Sequence, residues 1–432
     1  MVLNFRNTIF WILDALKGGK IHKHYKELGV ILEDYNSDNS KNLRKKHLNH
    51  LLNHAAKTVP FYKDIADKNN LEAFPVVNKL IIKDNYDAFK SSSYLNKKKY
   101  KVSTSGSSGT PFNLYQNKNK QNRNSTDAIY FAKRAGIAIG IKVYFIRVWT
   151  KYNRKSALLS WIQNVGMQNA ANLNKAEIEN FIAKLLKSKK SKGIWSYASA
   201  LDTISKYVQV EHKEPINCNM TCVVACSERL NLHTKTTLQT YFNAPVISRY
   251  SNAENGILAQ QKANTDHFDI NWASYYFEIF KFDEDTPAEL GELGRVIITD
   301  LFNYCMPIIR YDTGDVASIE LDEHNVPVFK KVEGRRQDLI YNTKGELISS
   351  FVIGAVMKKY SNFKQFQFIQ IDEKAYVIKL NTDTLFKGEQ QLINEFKEAL
   401  GNNCSIEIKY LNEIPLLASG KQRQVMSAYN KL

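Results

Sequence analysis

The sequence predicts an α/β fold with a large N-terminal α/β domain, which includes a β-rich subdomain, and a small C-terminal α+β domain. Strand-like and helix-like segments alternate between residues 143 and 250, which is typical of a largely parallel sheet. From about Tyr275, apolar strands alternate with turns such as Glu289-Leu290-Gly291-Glu292. Past Gly334, a second mixture of helices and strands begins. A chain of 432 residues is long enough for two such domains.

The change of pattern coincides with the polar segment Glu333-Gly334-Arg335-Arg336-Gln337-Asp338. A polar crossover that contains a glycine suits an interdomain hinge, although a plain solvated turn has the same composition. We therefore expect an N-terminal domain over residues 1–333, a hinge over 334–338 that includes Gln337 and Asp338, and a small mobile C-terminal domain over 339–432.

The first 60 residues are predicted to be helical because their apolar residues recur at helical spacing, as in Phe10, Leu13 and Leu16. Packing onto the domain body is the expected role of these helices, and a helix that lies on a membrane surface is the alternative. No apolar run approaches the roughly 20 residues that cross a bilayer. The N-terminus lacks the pattern of a signal peptide, so we expect a cytoplasmic protein.

The same criteria assign the remaining elements. Further helices are expected at 79–88, 122–135, 175–186, 200–208, 232–242, 352–360 and 389–400. Strands are expected at 112–115, 143–149, 194–199, 222–225, 246–250, 276–280, 295–299, 366–369, 375–378 and 405–410.

Composition and cysteine spacing limit the function. The formal net charge of +17 favours anionic partners, but the lysines are scattered and no zinc-finger or RNA-binding motif is present, so no nucleic-acid partner is expected. Cys218, Cys222 and Cys226 lie in a strand-like segment. Four residues of a strand span about 13 Å, so these thiols are predicted to be buried structural groups, not ligands of one metal.

A loop rich in serine and glycine runs from Ser103 to Thr110 and ends at Pro111. Its successive backbone N–H groups can converge on one phosphate, yet the composition suits a flexible linker equally well. The loop lacks the lysine of a common nucleotide-triphosphate loop. Strand-like segments precede and follow it, so it is predicted to form the tip of a hairpin.

Three further stretches carry candidate functional groups. Glu254 follows a buried strand in Arg249-Tyr250-Ser251-Asn252-Ala253-Glu254, at the edge of a parallel sheet where ligands bind. Two acids flank a predicted Thr-Gly turn in Tyr311–Asp315, and Lys421 follows Ser419-Gly420 near the C-terminus. Each has a plain alternative: a helix cap, an Asx turn and a surface lysine.

Together, in this order, these stretches resemble the adenylate-forming superfamily of acyl-CoA synthetases and ligases. The nearest branch is the phenylacetate-CoA ligase-like group, which includes the CapK-type proteins of surface-polysaccharide genes. The resemblance runs from about residue 60 to the C-terminus. Ser251 stands where the family motif has glycine, and Gln337 stands where an aspartate is usual.

The resemblance implies a dispersed site for ATP, Mg²⁺ and a small carboxylic acid, with CoA as the expected co-substrate. Glu254 would ligate Mg²⁺, and Asp315 would bind the ribose hydroxyls. Arg335 would contact the ribose or the developing acyl-phosphate. Lys421 would bridge the carboxylate and the α-phosphate. The phosphates would be held by Ser105, Gly106, Ser107, Ser108, Gly109 and Thr110, the adenine by Ser251, Asn252 and Ala253, and the acyl group by Trp195, Tyr197 and Tyr250.

The implied reaction forms an acyl-adenylate and then an acyl-CoA thioester. It needs no general base because a carboxylate is already ionised at neutral pH. Rotation of the C-terminal domain about the hinge would bring Lys421 to the site for the first step only. Two alternatives remain: transfer of the acyl group to an amine or hydroxyl of a sugar in capsular or surface polysaccharide, and a non-catalytic ATP-binding scaffold.

Overall fold

Apolar segments between residues 142 and 252 form parallel strands because packed side chains cover both of their faces. The computed structural model describes residues 5–104, 112–149, 153–171, 173–335, 339–348, 350–360, 363–383, 386–415 and 424–429. Contacts divide the chain into two compact units. The first is Met1–Thr313 with Ala317–Val332, and the second is Gly314–Val316 with Glu333–Leu432.

Helices occur in both units of the described part of the chain. They are α1 (Phe5–Leu16), α2 (Lys20–Glu33), α3 (Asp38–Thr58), α4 (Lys79–Asp84), α5 (Lys118–Arg134), α6 (Ala157–Ile162), α7 (Lys175–Lys187), α8 (Ala198–Glu211), α9 (Leu232–Phe242), α10 (Ser350–Lys358) and α11 (Glu389–Leu400). None of the helices among the described residues is long and apolar enough to cross a bilayer.

The strands follow the same numbering. They are β1 (Tyr100–Ser103), β2 (Asn113–Gln116), β3 (Lys142–Arg147), β4 (Val165–Asn169), β5 (Lys192–Tyr197), β6 (Met220–Cys226), β7 (Val246–Asn252), β8 (Gly256–Gln261), β9 (Phe268–Ile270), β10 (Tyr275–Phe280), β11 (Gly294–Asp300), β12 (Tyr311–Leu321), β13 (Pro327–Arg335), β14 (Ile340–Tyr341), β15 (Leu347–Ile348), β16 (Gln365–Asp372), β17 (Ala375–Asn381), β18 (Ser405–Tyr410) and β19 (Val425–Ser427).

One large sheet organises the first unit, with the strand order β10-β11-β12-β13-β9-β8-β7-β6-β5-β3-β4. Strands β4, β3, β5, β6 and β7 pair in parallel, and from β7 through β8 and β9 to β13 the pairing is antiparallel. The predicted fold class is therefore confirmed, and the β-rich segment continues the sheet of the parallel strands.

Helices α7, α8 and α9 cover one face of the parallel strands, and their apolar residues, including Phe181, Leu201 and Leu238, are buried there. The other face packs through Ile137, Val224 and neighbouring residues. Covered on both faces, the strands expose functional groups mainly at their carboxyl ends.

The predicted N-terminal helices form, and they differ in burial. Leu28 and Ile31 of α2 join the core under the antiparallel strands, and Leu51 and Leu52 of α3 join a separate core with residues 305–311. Helix α1 contributes no apolar residue to these cores, and its one buried residue is Asp14.

Strands β1 and β2 form the predicted hairpin, with Ser103 opposite Asn113 and the Thr104 N–H donating to Phe112 O at 2.9 Å. Cys222 and Cys226 lie on β6 as expected from the sequence. The five cysteines are thiols outside any disulfide; four are buried and Cys226 is half-buried.

The second unit has its own core, in which α10 and α11 pack on the sheet β18-β17-β16-β19. Phe368, Tyr376, Leu392 and Phe396 are buried there.

Candidate active site

Glu254 is a buried carboxylate in the short connection between β7 and β8, and its side chain is 5% exposed. The ammonium of Lys79 lies 2.7 Å from its Oε1, and the hydroxyl of Tyr311 donates to the same atom at 3.4 Å. The Lys79 side chain is 35% exposed, so the pair joins a buried anion to a cation that reaches solvent.

Backbone contacts place Lys79 beside this carboxylate. The Asn78 side chain caps α4 by accepting from Leu80 N and Ile81 N. Just before the cap, Val77 N donates to Arg310 O at 3.0 Å and Asp312 N donates to Val77 O at 2.8 Å. These bonds fix the start of α4 against the start of β12, which also carries Tyr311.

The β1–β2 hairpin is tied to the same place. The Gln116 side chain at the end of β2 donates to Glu254 O at 2.9 Å, and Lys79 Nζ lies 5.8 Å from the ring centroid of Phe112. Phe112 directly follows the Ser/Gly stretch in the sequence. The Lys79–Glu254 pair therefore lies beside the β1–β2 hairpin, whose two strands are joined by the predicted phosphate loop.

The donor set around Glu254 fits Mg²⁺ only together with other ligands. Among the described residues, no group of three or more His, Cys, Asp or Glu side chains could hold a metal ion. Mg²⁺ is commonly bound by one or two carboxylates with water and substrate phosphates completing the shell, and a lone buried Glu254 suits that arrangement.

The segment Tyr311–Asp315 differs from the turn that was expected there. It forms the first part of β12, and Gly314 has a φ of 75°, which accommodates a local distortion within the strand. The carboxylate of Asp312 accepts from Arg295 at 2.8 Å, so this acid has a structural role. Asp315 is half-buried on the same strand.

Two predicted acyl-pocket residues, Trp195 and Tyr197, lie on the same face of β5. Tyr197 pairs in register with Cys226, and Cys226 pairs with Arg249. Burial raises the pKa of the Tyr197 phenol, and the charge of Arg147, at the end of β3, opposes this effect. We call Arg147, Tyr197, Cys226 and Arg249 the arginine row.

Arg249 is the best-defined member of the arginine row. Its guanidinium lies 4.7 Å from the Trp195 ring, and its Nε donates to Gln260 Oε1 at 2.8 Å. Burial lowers the pKa of Arg249 to about 10, an effect that the nearby Cys226 and Cys222 thiols oppose. Arg249 Nη2 and Trp195 Nε1 are buried and donate to no group in the described part of the chain.

Tyr250 does not join Trp195 and Tyr197. Consecutive strand residues point to opposite faces, and the Tyr250 ring packs 6.1 Å from Phe329. Beyond Tyr250, Ser251 and Asn252 are half-buried and Ala253 is exposed. Asn252 Oδ1 accepts from Asn255 N at 2.8 Å and so stabilises the turn that presents Glu254.

Comparisons with known proteins agree with this geometry. A family model described as the CapK C-terminal domain matches residues 340–428. Protein CapK from Staphylococcus aureus is 23% identical over 465 aligned positions, covering 98% of this chain and 98% of that protein. The chain is thus similar to CapK along its whole length.

Solved structures show the fold. A 2-hydroxyisobutyryl-CoA ligase in the postadenylation state, in complex with R3-HIB-AMP, has a TM-score of 0.70 at 15% identity, covering 91% of this chain and 90% of that one. ATP-bound MatB from Rhodopseudomonas palustris has a TM-score of 0.55 at 12% identity, covering 74% and 65%. The chain thus has the adenylate-forming ligase fold that the sequence predicted.

Several predicted site residues lie outside the described residues. They are Ser105, Gly106, Ser107, Ser108, Gly109, Thr110, Gln337, Asp338 and Lys421. Arg335 is described and is the last residue of β13.

Sequence reasoning missed Lys79, Gln116, Arg147 and Arg249 as members of these clusters. Lys79 is one of many scattered lysines, and only the backbone bonds of Val77 bring it to Glu254. Arg249 could have been found from the sequence. It directly precedes the Tyr250–Glu254 motif in a predicted strand, so its side chain lies on the face opposite to Tyr250.

Proposed function

We propose that this protein activates a small carboxylic acid by forming an acyl-adenylate from ATP, with release of pyrophosphate. The observation that carries the proposal is the ion pair between the buried Glu254 and the half-buried Lys79, which lies beside the β1–β2 hairpin. Its setting in an adenylate-forming ligase fold supports the proposal. The chain would then be an enzyme of the acid-thiol ligase type.

The reaction joins two anions, the substrate carboxylate and the α-phosphate, so the site must supply positive charge. Mg²⁺ bound at Glu254 would neutralise phosphate charge in the transition state. Lys79 lies 2.7 Å from the same carboxylate, and its half-buried side chain would turn toward a phosphate oxygen. We expect Lys421 to hold the attacking carboxylate, and Asp315 and Arg335 to orient the ribose.

Pyrophosphate release in the presence of ATP, Mg²⁺ and a panel of carboxylic acids tests the proposal. The wild-type protein should release pyrophosphate with at least one acid, and Glu254→Gln should lower kcat/KM by about 100-fold or more, the size expected when a charge-stabilising group is lost. The matched control is Glu211→Gln, because Glu211 also pairs with a lysine at 2.7 Å but on an exposed surface.

The control variant should keep wild-type activity. ATP binding without pyrophosphate release across a broad panel would contradict the enzyme proposal and favour a non-catalytic ATP-binding scaffold.

The second step is proposed to transfer the acyl group to CoA. A 2-hydroxyisobutyryl-CoA ligase of this fold has been solved in complex with 2-HIB-AMP and CoA, which supports CoA as the acceptor. If the adenylate forms but CoA neither speeds turnover nor yields a thioester, transfer to an amine or hydroxyl of a sugar becomes the better proposal.

A further inference from the structure

The arginine row contains two guanidinium groups without a carboxylate partner. Neither Arg147 nor Arg249 forms an ion pair with any residue in the described ranges, and Arg147 Nε, Arg249 Nη2 and Trp195 Nε1 are buried donors without an acceptor there. A carboxylate near the row, Glu228, accepts from Ser199 N at 2.8 Å. Buried donors of this kind cost stability unless an acceptor arrives.

The position of these donors points to the acid substrate. The row lies at the carboxyl ends of parallel strands, where α/β proteins bind ligands, and Arg249 precedes Glu254 by five residues on the same hairpin. Arginine and an indole N–H donate but do not accept, so a ligand here must present acceptor oxygens. A planar guanidinium matches the two oxygens of a carboxylate.

We propose that the substrate acid carries a second carboxylate, and that Arg249 and Trp195 bind it while the first carboxylate is activated. Arg147 adds positive charge at the far side of the row. This inference rests on the proposed function, and it names the substrate class as a dicarboxylic acid.

Matched acids of equal chain length test the inference: glutarate against pentanoate, and adipate against hexanoate. We expect kcat/KM for pyrophosphate release to be about 10- to 100-fold higher for the dicarboxylate, the factor typical of a charged hydrogen bond. Arg249→Met should remove most of this preference, Arg249→Lys should retain part of it, and Trp195→Phe should reduce it only a few-fold.

Thermal stabilisation of the full-length protein by the same acids, without ATP, provides a readout that does not need turnover. Dicarboxylates should raise the Tm of the wild-type protein but not of Arg249→Met, and inorganic phosphate should have no Arg249-dependent effect. An equal Arg249-dependent shift with phosphate would overturn the dicarboxylate assignment in favour of a phosphate subsite.

The two readouts separate the two proposals. If pentanoate and hexanoate are adenylated as well as their dicarboxylate counterparts, the substrate class is wrong and adenylation stands. If glutarate or adipate stabilises the protein through Arg249 but no acid releases pyrophosphate, the carboxylate site stands and adenylation is wrong.

A second, independent observation concerns an exposed apolar surface. Helices α1 and α6 are in contact, because Arg6 Nη2 donates to Trp161 O at 3.3 Å and the Arg6 guanidinium lies 5.5 Å from the Trp161 ring. We define the α1–α6 patch as their large exposed apolar residues, Phe5, Ile9, Ile12, Leu13, Leu16, Leu158, Leu159, Trp161 and Ile162. Contiguous exposed apolar residues of this number mark an interaction surface.

Charge identifies the partner. The segments 5–26 and 153–162, which contain the patch, carry seven Lys and Arg residues and a single acidic residue, Asp14. Asp14 is buried and accepts from Ile21 N and His22 N, so its charge is turned away from the patch. Apolar side chains among basic residues, with an exposed tryptophan, are the composition of a surface that lies on anionic lipid.

We infer that the α1–α6 patch binds the surface of an anionic lipid bilayer without crossing it. Co-sedimentation of the full-length protein with phosphatidylcholine vesicles, with and without 30% phosphatidylglycerol, tests this inference. Binding should require the anionic lipid and weaken as NaCl rises from 0.1 to 0.5 M. Leu158→Ser with Trp161→Ser should weaken binding by at least about tenfold.

The control is Val210→Ser, which removes an apolar side chain that is 80% exposed on α8. This variant should bind vesicles as the wild-type protein does, and both variants should keep wild-type pyrophosphate release. Equal sedimentation with and without phosphatidylglycerol, or a patch-dependent dimer in light scattering with no vesicle binding, would overturn the inference.

Discussion

Burial determines how much the ion pair between Lys79 and Glu254 contributes to stability. The carboxylate is almost fully buried, whereas the lysine side chain is about one third exposed, so solvent screens the interaction from one side. Among the described residues, the Tyr311 hydroxyl at 3.4 Å would be the remaining side-chain hydrogen-bond partner of Glu254 Oε1 without Lys79.

The first prediction concerns this pair. Lys79→Met should lower the free energy of unfolding by about 1–2 kcal/mol, because it leaves a buried carboxylate poorly compensated. Urea unfolding of Lys79→Met, Glu254→Gln and the double variant should give a coupling energy of about 1 kcal/mol. The exposed pair Lys175–Glu211 has the same 2.7 Å distance and should give a much smaller coupling energy, because solvent screens it from all sides. Equal coupling in the two pairs would contradict this argument.

The second prediction, at the scale of the elements, concerns the contact between α2 and α5. Arg123 of α5 is fully buried and donates to Glu27 Oε1 at 2.6 Å, Ser274 Oγ at 2.8 Å and Ala273 O at 2.6 Å. Arg123→Met should cost about 3–5 kcal/mol of unfolding free energy, since it leaves Glu27 and these acceptors without their donor. The exposed Arg154→Met is the control and should change stability little. A loss below about 1 kcal/mol would show that the helices are held by apolar contacts alone.

The third prediction is an acid dependence at the same contact. Burial would raise the pKa of Glu27, but His47, whose Nε2 lies 3.1 Å from Glu27 Oε1, and the charge of Arg123 outweigh it and hold the pKa at about 2, below the ordinary 4.5. The folded state therefore favours the ionised form, and this contribution is present above pH 4.5 and is lost as the pH falls toward 2.

Unfolding free energies measured from pH 6 to pH 3.5 check this dependence. Glu27→Gln should flatten the decrease of stability below about pH 5, because the variant has no carboxyl group to protonate on unfolding. A parallel decrease in wild-type and variant proteins would assign the acid sensitivity to other groups.

For the whole molecule, the fourth prediction concerns the second unit. Its core residues, from Ile340 to Cys404, with Val425 packed against them, all belong to that unit. A fragment of residues 339–432 should therefore fold alone, with mixed α and β circular dichroism and one cooperative urea transition. Replacement of the fully buried Phe396 by Ala in the fragment should cost about 3–5 kcal/mol or abolish folding. A fragment that is unfolded without the rest of the chain would contradict this prediction.

The fifth prediction concerns the two steps of the proposed reaction. Lys421→Ala should lose pyrophosphate release but still consume a supplied acyl-adenylate in the presence of the acceptor, because the lysine is expected to serve adenylation only. Loss of both steps would contradict a C-terminal domain that acts in two orientations. Glu254→Gln provides the comparison, since that carboxylate is expected to act on the phosphates of ATP.

The sequence predicted the fold well where periodicity was strong. The parallel strands β3, β5, β6 and β7 and the helices that cover them were predicted because apolar residues recur with periods that burial imposes, whereas the parallel strand β4 was not predicted. Strands β8 and β9 were missed, because one is short and the other carries glutamines along an otherwise apolar strand. At Gly314 a turn was predicted and a strand was found, since a Thr-Gly pair is typical of a turn as well as of a distorted strand.

The candidate site was predicted through local motifs, and its remaining members depend on long-range contacts. Glu254 was chosen because it ends a strand, whereas nothing near Lys79 in the sequence indicates that it pairs with this carboxylate. Trp195 and Tyr197 were chosen by position and do share a face, but Tyr250 was grouped with them although the pleat of β7 turns it away. Contacts between distant segments are set by tertiary packing, which local patterns do not encode.

The cysteines offer a practical consequence. Burial raises the pKa of Cys222 and of Cys305 to about 12 and raises that of Cys218 and of Cys404, so these four thiols are poor nucleophiles at neutral pH. Cys226, the half-buried thiol, pairs in register with Arg249 and Tyr197. A maleimide fluorophore should therefore label the native protein at Cys226, and substrate acids should protect that thiol from the reagent. The unmodified chain thus already contains a chemical reporter for the occupancy of the predicted acyl pocket.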